Sequence, residues 1–130
     1  MEQKNKILIV DDEKGFTSML QLNLESLGNF VVRVENNSER AIETALAFEP
    51  HVILLDVIMP NMEGPDIAQA IKVRNILKET AIIFLTATIT KEEAATQDGL
   101  ISNYKFVAKP SNIRILLETI QQSLASINDN

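Results

Sequence analysis

The stretch HVILLDVIMPNMEGPDI, residues 51–67, decides the fold of this chain. Its first half holds a short apolar run, residues 52–55, that ends in a charged residue, Asp56. A continuous apolar run of this length is typical of a strand buried on both faces of a parallel sheet. A carboxylate at the end of such a strand is costly unless another group pairs with it. The stretch therefore predicts a buried strand that delivers a paired or functional carboxylate.

Further apolar runs predict four more strands, at residues 7–10, 30–34, 81–85 and, more weakly, 104–108. Helical patterns separate them, with apolar residues three or four positions apart. The first such face contains Phe16, Met19, Leu20, Leu24 and Leu27. Because strand and helix alternate five times, the order predicts an α/β fold, a doubly wound parallel sheet of five strands with helices on both faces.

The ends of several helices can be predicted from single residues. Gly28 stands where the first helix would end, and Ser38 is a plausible N-cap of the second. Arg74 marks the far end of a third helix that opens after Gly64. Thr90 with Glu93 forms a capping-box pattern that would open a fourth.

Composition excludes several classes of function. The chain has 130 residues, no cysteine and one histidine, so thiol catalysis and Cys- or multi-His metal sites are excluded. A net charge of -6 argues against nucleic-acid binding by this domain. The short apolar run at residues 7–10 predicts neither a signal peptide nor membrane insertion, and we expect a cytoplasmic protein. We expect one domain over residues 1–130, ordered from about 5 to about 127.

Four of the five predicted strands deliver polar groups to one edge of the sheet, whereas the second ends in Glu35-Asn36-Asn37 with no comparable cluster. Asp11, Asp12 and Glu13 follow the first, Asp56 ends the third, Thr86 follows the fourth, and Lys109 follows the fifth. In open α/β sheets these carboxyl ends meet at the functional crevice. No glycine-rich phosphate loop follows the first strand, which argues against a dinucleotide site or a P-loop.

The charge of this cluster indicates its chemistry. Two carboxylates about 5 Å apart repel by roughly 3 kcal/mol at an effective dielectric constant of about 20. A divalent cation would relieve that repulsion, and a few hard oxygen ligands suit Mg²⁺, which is often shared with a phosphate. Lys109 and Thr86 would supply a charge and a donor for phosphoryl oxygens. The cluster therefore predicts a Mg²⁺-assisted phosphoryl site with an aspartate as nucleophile.

The chain resembles the receiver domain of two-component response regulators over essentially its whole length. The matching residues are Asp11-Asp12, Asp56 followed by Met59-Pro60 and Gly64, Thr86-Ala87, and Lys109-Pro110. The resemblance implies a (βα)5 sheet with strand order 2-1-3-4-5, of the flavodoxin- and CheY-like kind.

The resemblance also implies a role for each matching residue. Asp56 would accept a phosphoryl group from a histidine of a sensor kinase or a histidine phosphotransfer protein. Asp12, Asp56 and the backbone carbonyl of Ile58 would bind Mg²⁺ directly, with Asp11 acting mainly through water. Lys109 would hold a phosphoryl oxygen.

A second set of implied roles concerns the switch. Thr86 would bond another phosphoryl oxygen and move toward it, and Phe106 would turn inward as the switch aromatic. The Lys109-Pro110 bond would be cis. The fourth helix, fifth strand and fifth helix would form the face that binds a downstream protein target or an output domain. Phosphorylation would thereby bias a two-state element.

Two departures from the family pattern bear on that face. Residues 99–104 replace a usual Gly-Ala pair and acidic residues, so the end of the fourth helix is expected to differ. The switch aromatic is Phe rather than Tyr or His, and without a hydroxyl that favours solvent we expect Phe106 to sit inward more often.

Three other functions fit the residues less well. One is a pseudo-receiver that docks on partners without phosphorylation. Another is an aspartyl-phosphate phosphohydrolase of the haloacid dehalogenase type, which needs a second Asp at the position of Ile58. A flavin carrier would need a phosphate loop where Asp11, Asp12 and Glu13 stand. We expect no enzyme acting on external substrates, only catalysis of the domain's own phosphorylation and dephosphorylation. The chain is either a stand-alone regulator or part of a larger one.

Overall fold

The computed structural model describes residues 4–57, 59, 63–86, 100–101, 104–109 and 113–128. Two predicted site residues, Ile58 and Pro110, lie outside these ranges, as does the helix predicted to open at Thr90. The predictions about them stay predictions.

Strands and helices alternate through the described part of the chain. The strands are β1 (Asn5–Val10), β2 (Phe30–Glu35), β3 (Val52–Asp56), β4 (Ala81–Thr86), β5 (Leu100–Ile101) and β6 (Tyr104–Ala108). The α-helices are α1 (Lys14–Leu27), α2 (Ala41–Phe48), α3 (Gly64–Lys72) and α4 (Ile113–Asn128), and 3-10 turns cover Ser38–Arg40 and Asn75–Leu77.

All of the described strands form one sheet, in the order β2-β1-β3-β4-β6-β5. Five of them run parallel, and β6 is the predicted fifth strand, so the predicted order 2-1-3-4-5 is confirmed. The sequence did not predict β5, a two-residue strand that pairs antiparallel with the outer edge of β6. A strand of two residues is too short to show a periodicity, and this one falls in the segment where the chain departs from the family pattern.

Two apolar cores lie on opposite faces of the sheet. Alternate residues of each strand point to opposite faces, so Ile7 packs with α1 and α4, whereas Leu8 packs with α2 and α3. The residues of β3 are all buried, as the opening stretch predicts. Helices on both faces hold the strands rigid, and this fixes where their carboxyl ends point.

Three helix predictions need correction. Ser38 is not the N-cap: it lies inside a 3-10 turn, where the Asn37 side chain accepts the cap hydrogen bond from Glu39 N–H. Arg74 falls beyond α3, which ends at Lys72.

The predicted apolar face of α1 is also partly wrong. The buried residues of α1 are Thr17, Leu20 and Leu24, whereas Met19 is 51% exposed and Leu27 is 56% exposed. Met19 lies about 200° around the helix from Thr17, which places it on the solvent side. A small polar residue occupies the core position because its hydroxyl has a hydrogen-bond acceptor there, the Lys14 carbonyl.

Candidate functional site

Three acidic side chains meet at the carboxyl edge of the sheet. Asp11 and Asp12 follow β1, and Asp56 ends the neighbouring strand β3. Each offers a carboxylate oxygen, and these oxygens lie within 4.8 Å of one another. Asp11 and Asp56 are buried, whereas Asp12 is exposed. The structure thus brings together the three carboxylates that the sequence predicts.

Lys109, at the end of β6, reaches into this acidic cluster. Its Nζ lies 2.7 Å from Oδ2 of Asp11, 2.8 Å from Oε1 of Glu13 and 3.6 Å from Oδ2 of Asp56. The same ammonium lies 4.7 Å from the centre of the Phe16 ring, in a cation–π contact. One cation is therefore shared among three carboxylates and an aromatic face.

The surroundings of Lys109 keep it charged. Burial lowers the pKa of Lys109, but hydrogen bonds to Asp11 and Glu13 and the charges of Asp11 and Asp56 raise it, and the balance lies well above the ordinary value. A permanently protonated lysine beside Asp56 suits the binding of an anionic phosphoryl oxygen.

The Asp11 side chain is fixed on both oxygens. Its Oδ1 accepts a hydrogen bond of 2.9 Å from the Glu13 N–H, while Oδ2 accepts from Lys109. Its backbone carbonyl accepts a bond of 2.7 Å from the side-chain amide of Asn36, which follows β2. From the sequence alone Glu13 has no predicted role of its own and Asn36 has none at all, because a contact between β2 and the first loop has no periodicity or motif.

Gly64 lies against the backbone of Asp56. A Cβ at this position would collide with the Asp56 carbonyl oxygen and approach Cα of Val57 to 3.0 Å. The Gly64 N–H also donates a bond of 2.9 Å to the Val57 carbonyl. Glycine is therefore required here because the start of α3 packs directly on the strand end that carries Asp56.

The two predicted switch residues lie on neighbouring strands. Thr86 ends β4 and pairs with Ala108 of β6; its side chain lies outside the description. The half-buried ring of Phe106 lies 5.8 Å from the ring of Phe84, its register partner, with the planes 35° apart. Phe106 thus contacts the core, and its expected inward preference over a Tyr or His stays a prediction.

The donor set fits a hard divalent cation. Asp11, Asp12, Glu13 and Asp56 bring four negative charges near one lysine. Three of them, Asp11, Asp12 and Asp56, bring carboxylate oxygens within 4.8 Å of one another, two buried and one open to solvent, which suits a cation that keeps some of its water. This fit is a property of the residues present, and no other group of three potential ligands is found among the described residues.

Comparison with known proteins identifies the family. The model of the response regulator receiver domain matches residues 7–121. The chain belongs to the response regulator receiver family. The resemblance noted in the sequence is thereby confirmed, and the fold and the acidic cluster are those of a two-component receiver domain.

Individual relatives agree with this assignment. Response regulator ArlR of Staphylococcus saprophyticus is 34% identical over 120 residues, covering 92% of this chain and 52% of that protein. Transcriptional regulatory protein ResD of Bacillus subtilis is 30% identical over 131 residues, covering 95% and 53%. This receiver chain spans about half the length of the curated relatives it matches.

Solved structures show the same fold. Chemotaxis protein CheY4 of Vibrio cholerae superposes with a TM-score of 0.80 at 29% identity, covering 94% of this chain and all of that one, 100%. The signal receiver domain of a DNA binding response regulator from Colwellia psychrerythraea superposes with a TM-score of 0.77 at 27% identity, covering 92% and 97%. None of the helices described in this receiver is long and apolar enough to cross a membrane.

Proposed function

We propose that this receiver accepts a phosphoryl group on Asp56 with the help of Mg²⁺. One observation carries the proposal: the buried carboxylate of Asp56 lies 3.6 Å from the Lys109 ammonium and within 4.8 Å of carboxylate oxygens of Asp11 and Asp12. A merely structural carboxylate would need one counter-charge, whereas this one stands in an acidic cluster with room for a second cation.

Asp56 is the nucleophile in this proposal. One of its carboxylate oxygens attacks phosphorus of a phosphohistidine, a P–O bond forms, and the P–N bond breaks. The imidazole nitrogen leaves with the electron pair of that bond and takes up a proton. Lys109 holds an oxygen of the transferred group, and Thr86 donates a hydrogen bond to another.

The metal ligands in the proposal are Asp12, Asp56 and the Ile58 carbonyl, with Asp11 acting mainly through water. When bound, Mg²⁺ neutralises the charge on the transferred group and on the cluster. Glu13 and Lys109 keep the Asp11 side chain in place while the metal site fills. Asp12, the exposed member, is reachable from solvent.

The signal would leave through the Phe106 side of the sheet. Phosphorylation adds nearly two negative charges at Asp56. Movement of Thr86 toward them would open space that the Phe106 ring fills from its position beside Phe84. The readout face would comprise the predicted fourth helix, β6 and α4. The antiparallel β5 lies at the edge of β6 and so alters one border of that face.

The partners and the setting follow from this chemistry. The phosphoryl donor would be a sensor histidine kinase or a histidine phosphotransfer protein in the cytoplasm. The receiver would then bind a downstream protein or act on an attached output domain, as the name of its relative ResD, a transcriptional regulatory protein, suggests. It would catalyse only its own phosphorylation and dephosphorylation.

The direct test is the mass of the intact protein after incubation with acetyl phosphate and Mg²⁺. We expect one added phosphate on the wild type, no adduct on Asp56→Asn, and no adduct when EDTA removes the metal. Asp66→Asn, which removes an exposed acid from the first turn of α3, is the matched control and should be modified like the wild type.

Absence of an adduct on the wild type would leave two explanations. Beryllofluoride, a phosphoryl mimic, separates them by nuclear magnetic resonance. Binding that depends on Asp56 would mean that the acyl phosphate is too short-lived to weigh. No binding would favour the phosphorylation-independent pseudo-receiver and overturn the proposal.

A further inference from the structure

We propose that Asn36 is a positioning residue that holds the loop of Asp11 and Asp12 in the geometry that binds Mg²⁺. The inference rests on the proposed function, because it concerns the same metal site. It adds a residue that follows β2 to this site. β2 is the strand whose carboxyl end showed no comparable polar cluster in the sequence. Asn36 touches neither Asp56 nor Lys109 in the described contacts, so its effect would pass through the backbone of Asp11.

The side-chain amide of Asn36 makes two hydrogen bonds. Its Nδ2 donates to the Asp11 carbonyl at 2.7 Å and to the Thr17 hydroxyl at 3.0 Å. Thr17 is buried, and its hydroxyl donates in turn to the Lys14 carbonyl at 3.1 Å. Asn36 therefore ties the acidic loop to the first turn of α1.

These bonds complete the support of Asp11. The Asp11 N–H donates to the Glu35 carbonyl at 3.2 Å, so the last residue of β2 holds the N–H of Asp11 and Asn36 holds its carbonyl. Asp11 has no solvent exposure, so its carbonyl has no access to bulk water as a replacement donor. Losing the Asn36 amide would leave this buried acceptor short of a partner, and the loop would have to shift to satisfy it.

A shift in this loop would reach the metal ligands directly. Asp11 and Asp12 are consecutive, so a change in the Asp11 peptide reorients both carboxylates. Groups that orient metal ligands from outside typically change metal affinity by about 10- to 100-fold when they are removed. We therefore expect Asn36 to matter for Mg²⁺ binding more than for the stability of the fold.

Asn37 provides a matched control on the neighbouring position. Its Oδ1 accepts from the Glu39 N–H at 3.0 Å and caps the 3-10 turn, and its own N–H donates to the Glu35 side chain. Replacing Asn37 removes a cap, which typically costs about 1 kcal/mol of stability, without removing a contact to Asp11.

The experiment compares Asn36→Ala, Asn36→Leu and Asn37→Ala in the unphosphorylated full chain. Asn36→Leu keeps a side chain of similar size but removes the donor. It therefore distinguishes the effect of losing the hydrogen bond from the effect of creating a cavity. Isothermal titration with MgCl₂ gives the metal affinity, and amide hydrogen exchange at Glu13 and Thr17 reports the loop. We expect both Asn36 variants to weaken Mg²⁺ binding by about tenfold and to speed exchange at Glu13, with Asn37→Ala resembling the wild type.

Two results would overturn the inference. One is a Mg²⁺ affinity of both Asn36 variants within about twofold of Asn37→Ala. The other is an amide exchange rate at Glu13 that is unchanged in both Asn36 variants, which would show that Asn36 does not position the loop. This second result decides alone if the wild type binds no Mg²⁺, an outcome that contradicts the proposed function.

Discussion

Nζ of Lys109 lies 2.7 Å from Oδ2 of Asp11, a carboxylate with no solvent exposure. It stands farther, 3.6 Å, from the proposed phosphoryl acceptor, Asp56. The lysine is therefore tied to the end of β1 before any phosphoryl group arrives. Since Asp11 would act on Mg²⁺ mainly through water, the proposed metal site can fill while Oδ2 of Asp11 keeps Lys109 in place beside Asp56.

Asp56→Asn should stabilise the metal-free protein. At an effective dielectric constant of about 20, Asp11 and Asp12 each repel Asp56 by about 3 kcal/mol, and Lys109 attracts it by about 5 kcal/mol. The two repulsions together, about 6 kcal/mol, therefore exceed the attraction. We expect a gain of about 1 kcal/mol in the free energy of unfolding, measured by urea denaturation in EDTA.

Two comparisons check the cause of that gain. Addition of MgCl₂ should stabilise the wild type more than Asp56→Asn, because a ligand stabilises the state that binds it. Asp66→Asn should instead lower stability by about 0.5 kcal/mol, since Asp66 lies in the first turn of α3. If Asp56→Asn is less stable than the wild type in EDTA, the negative charges of the acidic cluster are already balanced in the metal-free protein, and the repulsion argument is wrong.

Gly64→Ala should damage the site, whereas Gly15→Ala should not. The methyl group at position 64 would meet the Asp56 carbonyl, which is backbone and cannot turn aside. We expect a loss of about 2 kcal/mol and slower phosphorylation by acetyl phosphate. Gly15 lies in α1, and beyond its chain neighbours and the helix's own backbone no atom lies within 4 Å of its would-be Cβ, so Gly15→Ala should gain about 0.5 kcal/mol. Equal urea midpoints for the two variants would contradict the packing argument.

The parallel fold could be predicted from the sequence because its apolar residues repeat with the spacings typical of buried strands and of helices. Near-continuous apolar runs mark buried strands, and the residues after them mark the crevice, so Asp56 and Lys109 could be placed at one edge without a structure. Thr17 was missed because a threonine at a core position contradicts hydrophobic periodicity unless its partner, the Lys14 carbonyl, is known.

Contacts between distant segments could not be predicted in the same way. Asn36 meets Asp11 across 25 positions, and Lys109 meets Glu13 across 96. Neither pair has a local motif, since Asn36 and Asp11 follow adjacent strands whereas Lys109 and Glu13 follow strands separated by β3 and β4. The sequence could therefore name the members of the acidic cluster but not which of them holds the lysine.

His51, which directly precedes β3, should make the free energy of unfolding depend on pH. Its Nδ1 accepts a hydrogen bond of 2.9 Å from the Lys6 N–H, and burial together with the charge of Lys6 lowers the pKa of His51 below 6.5. The unfolded chain therefore binds the proton more readily than the folded one. This contribution to stability is present above pH 6.5 and is lost as the pH falls toward the folded-state pKa.

Urea midpoints measured from about pH 7.5 to about pH 5.5 test this dependence. His51→Asn offers an oxygen near the position of Nδ1 and does not titrate, so its midpoint should fall less than that of the wild type over this range. An identical fall in both proteins would assign the dependence to other groups.

A double-mutant cycle should separate the two carboxylates that hold Lys109. Asp11 has no solvent exposure and Glu13 is 61% exposed, although the two oxygens lie at nearly equal distances from Nζ. Lys109→Met leaves a buried charge on Asp11 uncompensated, which should cost about 3 kcal/mol, and adding Asp11→Asn should recover most of it. The cycle of Lys109→Met with Glu13→Gln should show a coupling below about 1 kcal/mol, because solvent screens an exposed pair. Unfolding free energies in urea give both couplings, and equal values would mean that burial does not decide which carboxylate holds the lysine.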